Sequence, residues 1–175
     1  MRDTRTRKAK HTLTHAVASL RVDSPVGALV LLASERGLCG LFFGHRIDTG
    51  DLPGGGGSHE ILQIAKRQLA EYFAGRRQEF DLPLDAAGTE FQRAVWAQLS
   101  AIPFGETRSY IGIAKLLGKA GAVRAVGLAN GANPISIIVP CHRVIGADGS
   151  LTGFGGGLDI KRRLLEHEGA LLPVG

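Results

Sequence analysis

Apolar and polar positions divide the first half of the chain into short runs joined by turns. Residues 20–43 hold three apolar runs separated by turn-forming residues, a spacing that predicts three short strands. Residues 48–58 include four consecutive glycines, for which we expect a flexible surface loop. Apolar residues then recur at helical spacing over 61–73, and Gly75 is a candidate C-cap. The pattern predicts a small sheet-and-helix domain over residues 16–84.

From residue 89 onward the pattern changes to one helix after another. A first helix is predicted to end before Pro103, with an inner face of Phe91, Val95, Trp96 and Leu99. Ser109 is a candidate N-cap for a second helix over 110–117, and a third follows over 122–129 after a glycine-bearing turn. The inward residues of the second helix are predicted to be Ile111, Ala114 and Leu117. Such a helix pair matches a helix-turn-helix, although many similar pairs never contact DNA.

The remainder of the chain completes a mostly helical second domain, predicted over residues 85–175. Residues 134–139 form an apolar run, which predicts a buried strand or extended segment, and 161–168 predict a last helix. The fold class is therefore α/β, of the α+β type, with a sheet-and-helix domain before a helical one.

Composition describes an ordinary globular protein, with 44% hydrophobic and 21% charged residues. The longest apolar runs are about six residues, against the roughly 20 that a membrane-spanning helix needs. No apolar stretch follows the basic N-terminus, so no secretory signal is predicted. We expect a cytoplasmic protein with no membrane association.

Basic residues are concentrated at the two ends of the chain. Residues 1–10 carry five basic and one acidic residue, 11–87 carry seven and nine, and 88–175 carry nine and six. A polyanion would therefore meet the C-terminal half, although this excess alone lies within ordinary variation. We expect residues 1–15 to be a disordered basic tail that adds non-specific phosphate attraction.

Of the two cysteines, Cys141 is the candidate nucleophile. Cys39 lies in an apolar run and is predicted to be buried and inert. Cys141 precedes His142 and Arg143, and cationic neighbours lower a thiol pKa and so raise the fraction of reactive thiolate. No CxxC or HxxxH spacing indicates a metal site.

Adjacent cysteine and histidine residues constrain how the thiol loses its proton. In an extended segment the side chains of Cys141 and His142 would point to opposite sides, so we expect a bridging water to carry the thiol proton to His142. A third group would then orient His142 and stabilise its charged form. Glu166 and Glu168, in the last predicted helix, are both candidates.

A series of motifs in a set order connects the chain with a known family. They lie at 91–96, 102–107, 124–127, 133–134, 140–145 (PCHRVI), 153–158 (GFGGGL) and 164–169. Together they resemble the signature of the O6-alkylguanine-DNA alkyltransferases, densely over residues 89–169. The N-terminal half resembles the family more loosely, through 24–27 and 72–75.

The resemblance implies a fold, a reaction and a partner. The fold would be a small RNase H-like domain followed by a helical domain with a winged helix-turn-helix. The reaction would be the irreversible, single-turnover transfer of an alkyl group from O6-alkylguanine in DNA to Cys141, with the base flipped out of the duplex. O4-alkylthymine as a second substrate stays open. Neither cofactor nor metal is implied, and the chain is expected to act as a monomer on duplex DNA, with cooperative binding left open.

The resemblance also implies roles for single residues. Cys141 would accept the alkyl group, His142 would be its water-mediated base, and Glu168, rather than Glu166, would orient His142. The other implied roles are these: Asn133 holds the active-site turn, Tyr110 donates its hydroxyl to the leaving guanine, and Arg124 replaces the extruded base from a helix in the minor groove. The residues implied to contact DNA or the base are Val144, Phe154, Gly155, Gly156 and Gly157. Phe154 departs from the tyrosine of many members, so any hydroxyl contact there is absent.

Two other classes of function compete with this one. A helix-turn-helix regulator or damage sensor without chemistry would not need Cys141. A cysteine hydrolase acting through Cys141 and His142 would show multiple turnovers on esters or amides, but the sequence offers no clear oxyanion site.

Overall fold

The computed structural model of the protein describes residues 12–173. These residues divide into two compact units between Ala87 and Gly88. Most of the predicted basic tail, residues 1–15, lies outside the described residues. Among residues 12–173, no helix is long and apolar enough to cross a bilayer.

Three antiparallel strands form the sheet of the first unit, in the order β1-β2-β3. The strands are Ala18–Val22 (β1), Leu29–Ala33 (β2) and Leu38–Phe43 (β3), and the helix Glu60–Phe73 (α1) packs against them. Side chains of a strand alternate between the two faces of a sheet. Every residue of β2 is buried, so both faces of the sheet are covered at this strand. Val30 and Leu32 pack on one face with Cys39, and the other face is left for α1. The predicted strands and helix are confirmed.

The glycine run before α1 differs from the predicted flexible loop. Gly56 opens a short 3-10 helix, Gly56–Ser58, and is buried. A Cβ atom at Gly56 would overlap the carbonyl group of Ser19 in β1. The prediction of a freely exposed loop is therefore wrong at Gly56, because the chain passes β1 so closely that only glycine fits.

Helices dominate the second unit. They are Glu90–Ser100 (α2), Tyr110–Leu116 (α3), Val123–Gly131 (α4) and Leu158–His167 (α5). Two short parallel strands, Arg108–Ser109 (β4) and Val144–Ile145 (β5), pair beside them. The predicted mixed fold class, a sheet-bearing unit followed by a helical one, is confirmed.

Side-chain caps begin two of these helices. Thr89 and Gln92 form a reciprocal capping box at the start of α2, and the Ser109 hydroxyl accepts a hydrogen bond from the backbone N–H of Gly112 at the start of α3. Trp96 in α2 donates its indole N–H to the carbonyl of Ala129 in α4, at 2.8 Å. This bond fixes α4 against α2.

Several predicted boundaries and orientations in the second unit need correction. The helices predicted at 110–117, 122–129 and 161–168 are Tyr110–Leu116, Val123–Gly131 and Leu158–His167. The inward residues of α3 are Ile113 and Ala114, whereas Ile111 is 38% exposed. Residues 134–139 form a series of turns rather than a strand, and the reason lies in the side chain of Asn133, described below.

Candidate active site around Cys141

Cys141 begins a short 3-10 helix, Cys141–Arg143, and is 5% exposed. The turn is closed by a hydrogen bond from the N–H of Arg143 to the carbonyl of Pro140, at 3.0 Å. The extended backbone predicted at Cys141 and His142 is therefore wrong. Successive side chains on a 3-10 helix diverge by about 120°, so those of Cys141 and His142 are not on opposite sides.

Asn133 organises the turns that lead to Cys141. Its Nδ2 atom donates to the carbonyls of Val139, at 2.8 Å, and Ile135, at 3.4 Å, while its Oδ1 atom accepts from the N–H of Ile135 at 3.0 Å. One buried side chain thus pairs backbone groups that a strand would have paired with a neighbouring strand. This explains why the apolar run at 134–139 is not a strand.

The same turns hold an unusual backbone conformation. Ile137 has φ of +71°, and among residues 12–173 it is the one non-glycine residue with positive φ. A β-branched side chain is disfavoured there, yet Ile137 is 1% exposed. Burial of its side chain and the Asn133 bonds together hold this strained turn two residues before Val139.

His142 and Glu168 form a buried pair next to Cys141. The Nε2 atom of His142 lies 2.8 Å from Oε1 of Glu168, and both side chains have no exposed surface. Glu166, the other candidate, is half-buried and lies 3.9 Å from Arg162. Of the two glutamates, Glu168 is the one in contact with His142.

Arg143 completes the contacts of the Glu168 carboxylate. Its Nε and Nη2 atoms lie 2.8 and 2.9 Å from the two oxygens of Glu168, and its Nη1 atom donates to the carbonyl of Ile102 at 2.6 Å. This is a two-pronged charge-assisted contact. The positive charge of Arg143, which the sequence suggested as a neighbour of the thiol, is thus neutralised by Glu168.

Electrostatics set the protonation states of this pair. Burial raises the pKa of Glu168, but the hydrogen bonds from His142 and Arg143 outweigh burial and bring that pKa to about 2. Burial lowers the pKa of His142, against the opposing effect of Glu168. At neutral pH we therefore expect an ionised Glu168 that accepts the Nε2 proton of a neutral His142. The lone pair of His142 is then on Nδ1, which is buried and has no hydrogen-bond partner within residues 12–173.

Tyr110 and the glycine-rich segment lie together on another side of the second unit's site. The Tyr110 hydroxyl donates to the carbonyl of Thr152 at 3.1 Å. Burial raises the pKa of Tyr110, so the hydroxyl keeps its proton at neutral pH. Gly157 has φ of +100° and donates its N–H to the carbonyl of Phe154, at 3.0 Å, which closes a tight turn over residues 154–157. Phe154 is half-buried, Gly155 is exposed and Gly156 is buried.

Two of the predicted contact residues have very different exposure. Arg124 is exposed near the start of α4. Val144 is fully buried in β5, and its carbonyl accepts a hydrogen bond from Lys161 at 2.6 Å. Val144 thus has no exposed surface, and its carbonyl already has a donor.

Sequence reasoning missed two polar residues of the site, Lys161 and Asn130. Asn130 is 2% exposed, and its Nδ2 atom donates to the Cys141 carbonyl at 3.4 Å. Lys161 has no exposed surface. Both residues could have been found from helical spacing, because each lies on the inner face of an amphipathic helix. Asn130 shares the inner face of α4 with Val126 and Ala129. Lys161 shares that of α5 with Leu164 and Leu165.

The fold and site define a protein with a buried cysteine beside a histidine–glutamate pair, in a helical unit that follows a small sheet unit. Comparisons with known proteins agree with this class. The family model described as 6-O-methylguanine DNA methyltransferase, ribonuclease-like domain, matches residues 16–86, and the one described as its DNA binding domain matches residues 90–170.

Similar proteins and structures cover most of the chain. A protein of Mycolicibacterium paratuberculosis named methylated-DNA--protein-cysteine methyltransferase is 52% identical, over 84% of this chain and 89% of its own. A protein of the same name from Methanosarcina acetivorans is 50% identical, over 85% and 96%. The crystal structure of Mycobacterium tuberculosis OGT in complex with DNA has a TM-score of 0.81 and 49% identity, and covers 88% of this chain and 94% of that one. The chain belongs to the 6-O-methylguanine DNA methyltransferase family.

Proposed function

We propose that this protein repairs DNA by direct reversal, moving an alkyl group from the O6 atom of guanine to the sulfur of Cys141. The observation that carries the proposal is the buried contact between Glu168 and His142, the residue directly after Cys141. It occurs in a chain half identical to relatives named as methyltransferases of this kind. A cysteine, a base and a group that orients the base are the parts that nucleophilic transfer requires.

His142 is the base of the proposed reaction. The ionised carboxylate of Glu168 holds the proton of His142 on Nε2, which leaves Nδ1 free to accept one. We propose that the thiol proton of Cys141 reaches Nδ1 through a single water molecule. The imidazolium formed in this way is stabilised by Glu168.

Transfer follows as a displacement at the alkyl carbon. The thiolate sulfur of Cys141 forms a bond to that carbon while the bond from carbon to O6 breaks, and the electron pair of the broken bond stays on guanine. The Tyr110 hydroxyl, which keeps its proton at neutral pH because burial raises its pKa, turns from Thr152 to donate a hydrogen bond to the leaving base. The proton taken by His142 then restores neutral guanine.

The product limits the protein to one turnover. Alkylated Cys141 is a thioether, which has no carbonyl or phosphoryl centre for water to attack. Cys39, the other cysteine, is a buried residue with 2% exposure, and burial raises the pKa of its thiol to about 11. Cys39 therefore cannot replace Cys141.

The proposed partner is duplex DNA that carries O6-alkylguanine. Arg124 is exposed on α4, and Leu128, four residues further along the same helix, is 71% exposed. Residues at this spacing share one helix face, which we propose enters the minor groove, with Arg124 filling the space of the flipped base. Phe154 and the glycines at 155–157 would enclose that base. Because one chain supplies every residue of this site, we propose that the protein acts as a monomer. The proposed location is the cytoplasm. Cooperative binding along DNA is left open.

Intact mass spectrometry tests the proposal. The protein is incubated with duplex oligonucleotides that contain one O6-methylguanine or one unmodified guanine, and then digested to locate any added methylene. We expect one added group per chain, on Cys141, from the methylated duplex alone. Cys141→Ser should abolish the mass gain and Cys39→Ser should leave it unchanged. An unchanged mass despite tight binding of the duplex would instead support a damage sensor without chemistry.

A further inference from the structure

Lys161 is a charged residue in the interior of the second unit that the proposed mechanism does not use. It lies on the inner face of α5, has no exposed surface, and shares that face with Leu164 and Leu165. Lysine is almost never fully buried without a partner, because removing its ammonium group from water is costly. Its position therefore calls for a specific set of contacts.

The contacts of Lys161 are two backbone carbonyls from either side of the site. Its Nζ atom donates to the carbonyl of Val144, at 2.6 Å, and to that of Thr152, at 2.8 Å. Val144 follows the turn that holds Cys141, and Thr152 precedes the glycine-rich segment at 153–157. Lys161 thus joins the segment that carries the nucleophile to the segment proposed to cover the base.

The carbonyl of Thr152 has a second donor, the hydroxyl of Tyr110. Thr152 is an exposed residue, so the loss of one donor to its carbonyl costs little, and its position is set by the donor that stays. Here the ammonium of Lys161 stays on Thr152 when Tyr110 turns away. The shared acceptor therefore lets Tyr110 meet a guanine base without leaving Thr152 unpaired.

Charge provides a second link between Lys161 and the nucleophile. The ammonium of Lys161 and the thiolate of Cys141 attract each other, and this attraction raises the pKa of Lys161 against the effect of its burial. Arg143, the other buried cation here, is paired with Glu168. Lys161 is hydrogen-bonded to carbonyls rather than to a carboxylate, so its charge is available to balance that of the thiolate.

We infer that Lys161 is a positioning residue for the alkyl transfer, which holds Thr152 in place while Tyr110 engages the base and balances the charge of the Cys141 thiolate. This inference rests on the proposed function. It assigns Lys161 no contact with the alkyl group itself.

The titration of Lys161 provides a diagnostic pH dependence. Burial lowers the pKa of Lys161 to about 8, against the opposing attraction of Cys141. The other titrating groups near it are the Cys141 thiol, which is the group that reacts in both assays, and the side chains of His142, whose pKa is lowered by burial, and Tyr110, whose pKa is raised by burial. The transitions of His142 and Tyr110 fall below and above that of Lys161. Transfer by the natural protein should therefore decline as pH rises through about 8.

Three variants and one control separate the two roles of Lys161. Arginine stays charged at every relevant pH, so Lys161→Arg should remove the decline at high pH. Lys161→Gln keeps a donor without the charge, and Lys161→Met removes both. Loss of a donor that touches the transition state slows a reaction about 100-fold or more. Because Lys161 acts through Thr152 and through its charge, we expect about tenfold for Lys161→Met and less for Lys161→Gln. Lys66→Met, at an exposed position of α1, should transfer at the natural rate.

The measurement is the rate of transfer from methylated duplex DNA between pH 6 and 10, in parallel with the rate at which iodoacetamide alkylates Cys141 in a Cys39→Ser background. We expect Lys161→Met to shift the iodoacetamide profile to higher pH and to slow transfer, whereas Lys161→Arg keeps the natural position of the profile. A decline above pH 8 that persists in Lys161→Arg would overturn the inference, as would natural rates in Lys161→Met. Should Lys161→Met not fold, the profile of Lys161→Arg still decides. Failure of the proposed function would look different, since no protein would then accept a methyl group from DNA while the iodoacetamide profiles still differed.

Discussion

Replacement of Glu168 by glutamine tests whether one carboxylate supports both the fold and the base. The glutamine side chain would have nearly the same shape, but it would leave the guanidinium of Arg143 buried without an opposite charge. It would also present an amide N–H to either Arg143 or His142, both of which are donors to Glu168. We therefore expect Glu168→Gln to destabilise the fold and to slow transfer together.

The size of the effect can be derived from the pKa of Glu168 and from the general cost of breaking a buried ion pair. A carboxyl whose pKa falls from 4.5 to about 2 on folding stabilises the folded state by about 3 kcal/mol at neutral pH. Breaking a buried ion pair by removing one partner typically costs about 3–5 kcal/mol. Because the folded-state pKa is the lower one, this contribution is complete above pH 4.5 and is lost as pH falls toward 2.

The assay is urea denaturation of the natural protein and the variant at several pH values. The matched control is Glu166→Gln, two residues earlier. Glu166 is half-buried and lies 3.9 Å from Arg162, so its replacement should change stability by less than about 1 kcal/mol. We expect the gap between Glu168→Gln and the natural protein to be about 3 kcal/mol at pH 7 and to narrow between pH 4.5 and 2. Equal effects of the two substitutions, or a gap that stays constant down to pH 2, would refute the reasoning.

Further predictions concern the turn before Cys141 and the proposed DNA contact. Asn133→Ala leaves the N–H of Ile135 unpaired, while the carbonyl of Val139 keeps the N–H of Cys141 as its donor. It should therefore destabilise the fold by about 1–3 kcal/mol and slow transfer. Urea denaturation and the mass assay measure both effects, and Ser136→Ala is the control. Ile137→Gly and Ile135→Gly remove equally buried side chains, but glycine also relieves the positive φ of Ile137. The loss of stability should therefore be smaller for Ile137→Gly, by about 1–2 kcal/mol. Equal losses in urea denaturation would contradict this. Arg124→Ala should weaken DNA binding and reduce its salt slope by about one, yet leave the reaction of Cys141 with iodoacetamide unchanged; a slowed iodoacetamide reaction would show that Arg124 supports the site itself.

Local patterns predicted the elements of this fold better than its turns. The strands β1 to β3 follow from short apolar runs bounded by turn residues, and β2 and β3 are buried at every position. The helix α1 follows from helical periodicity. Periodicity could not distinguish the run at 134–139 from a strand, because all but one of its residues are buried and a buried turn is equally apolar. What decides the conformation is the side chain of Asn133, whose three backbone contacts no pattern predicts.

The candidate site was predictable in part for a similar reason. The adjacency of Cys141 and His142 is visible in the sequence, but the choice between Glu166 and Glu168 is not, because either could face inward until the helix is oriented. The 3-10 conformation at Cys141–Arg143 also changes where the side chain of Arg143 lies. Sequence adjacency suggested a cation for the thiol, whereas the structure pairs Arg143 with Glu168, and our inference assigns that electrostatic role to Lys161, 20 residues away.

Two buried charged residues, Lys161 within α5 and Glu168 directly after it, therefore connect the proposed chemistry to the stability of the second unit. Glu168 neutralises Arg143 and holds the proton of His142, while Lys161 joins Val144 to Thr152. Because alkylation of Cys141 removes the thiolate, it removes the charge that Lys161 balances but leaves the Glu168 contacts intact. In the proposed reaction, therefore, Glu168 supports the site before and after transfer, whereas the charge of Lys161 is balanced by the thiolate only before it.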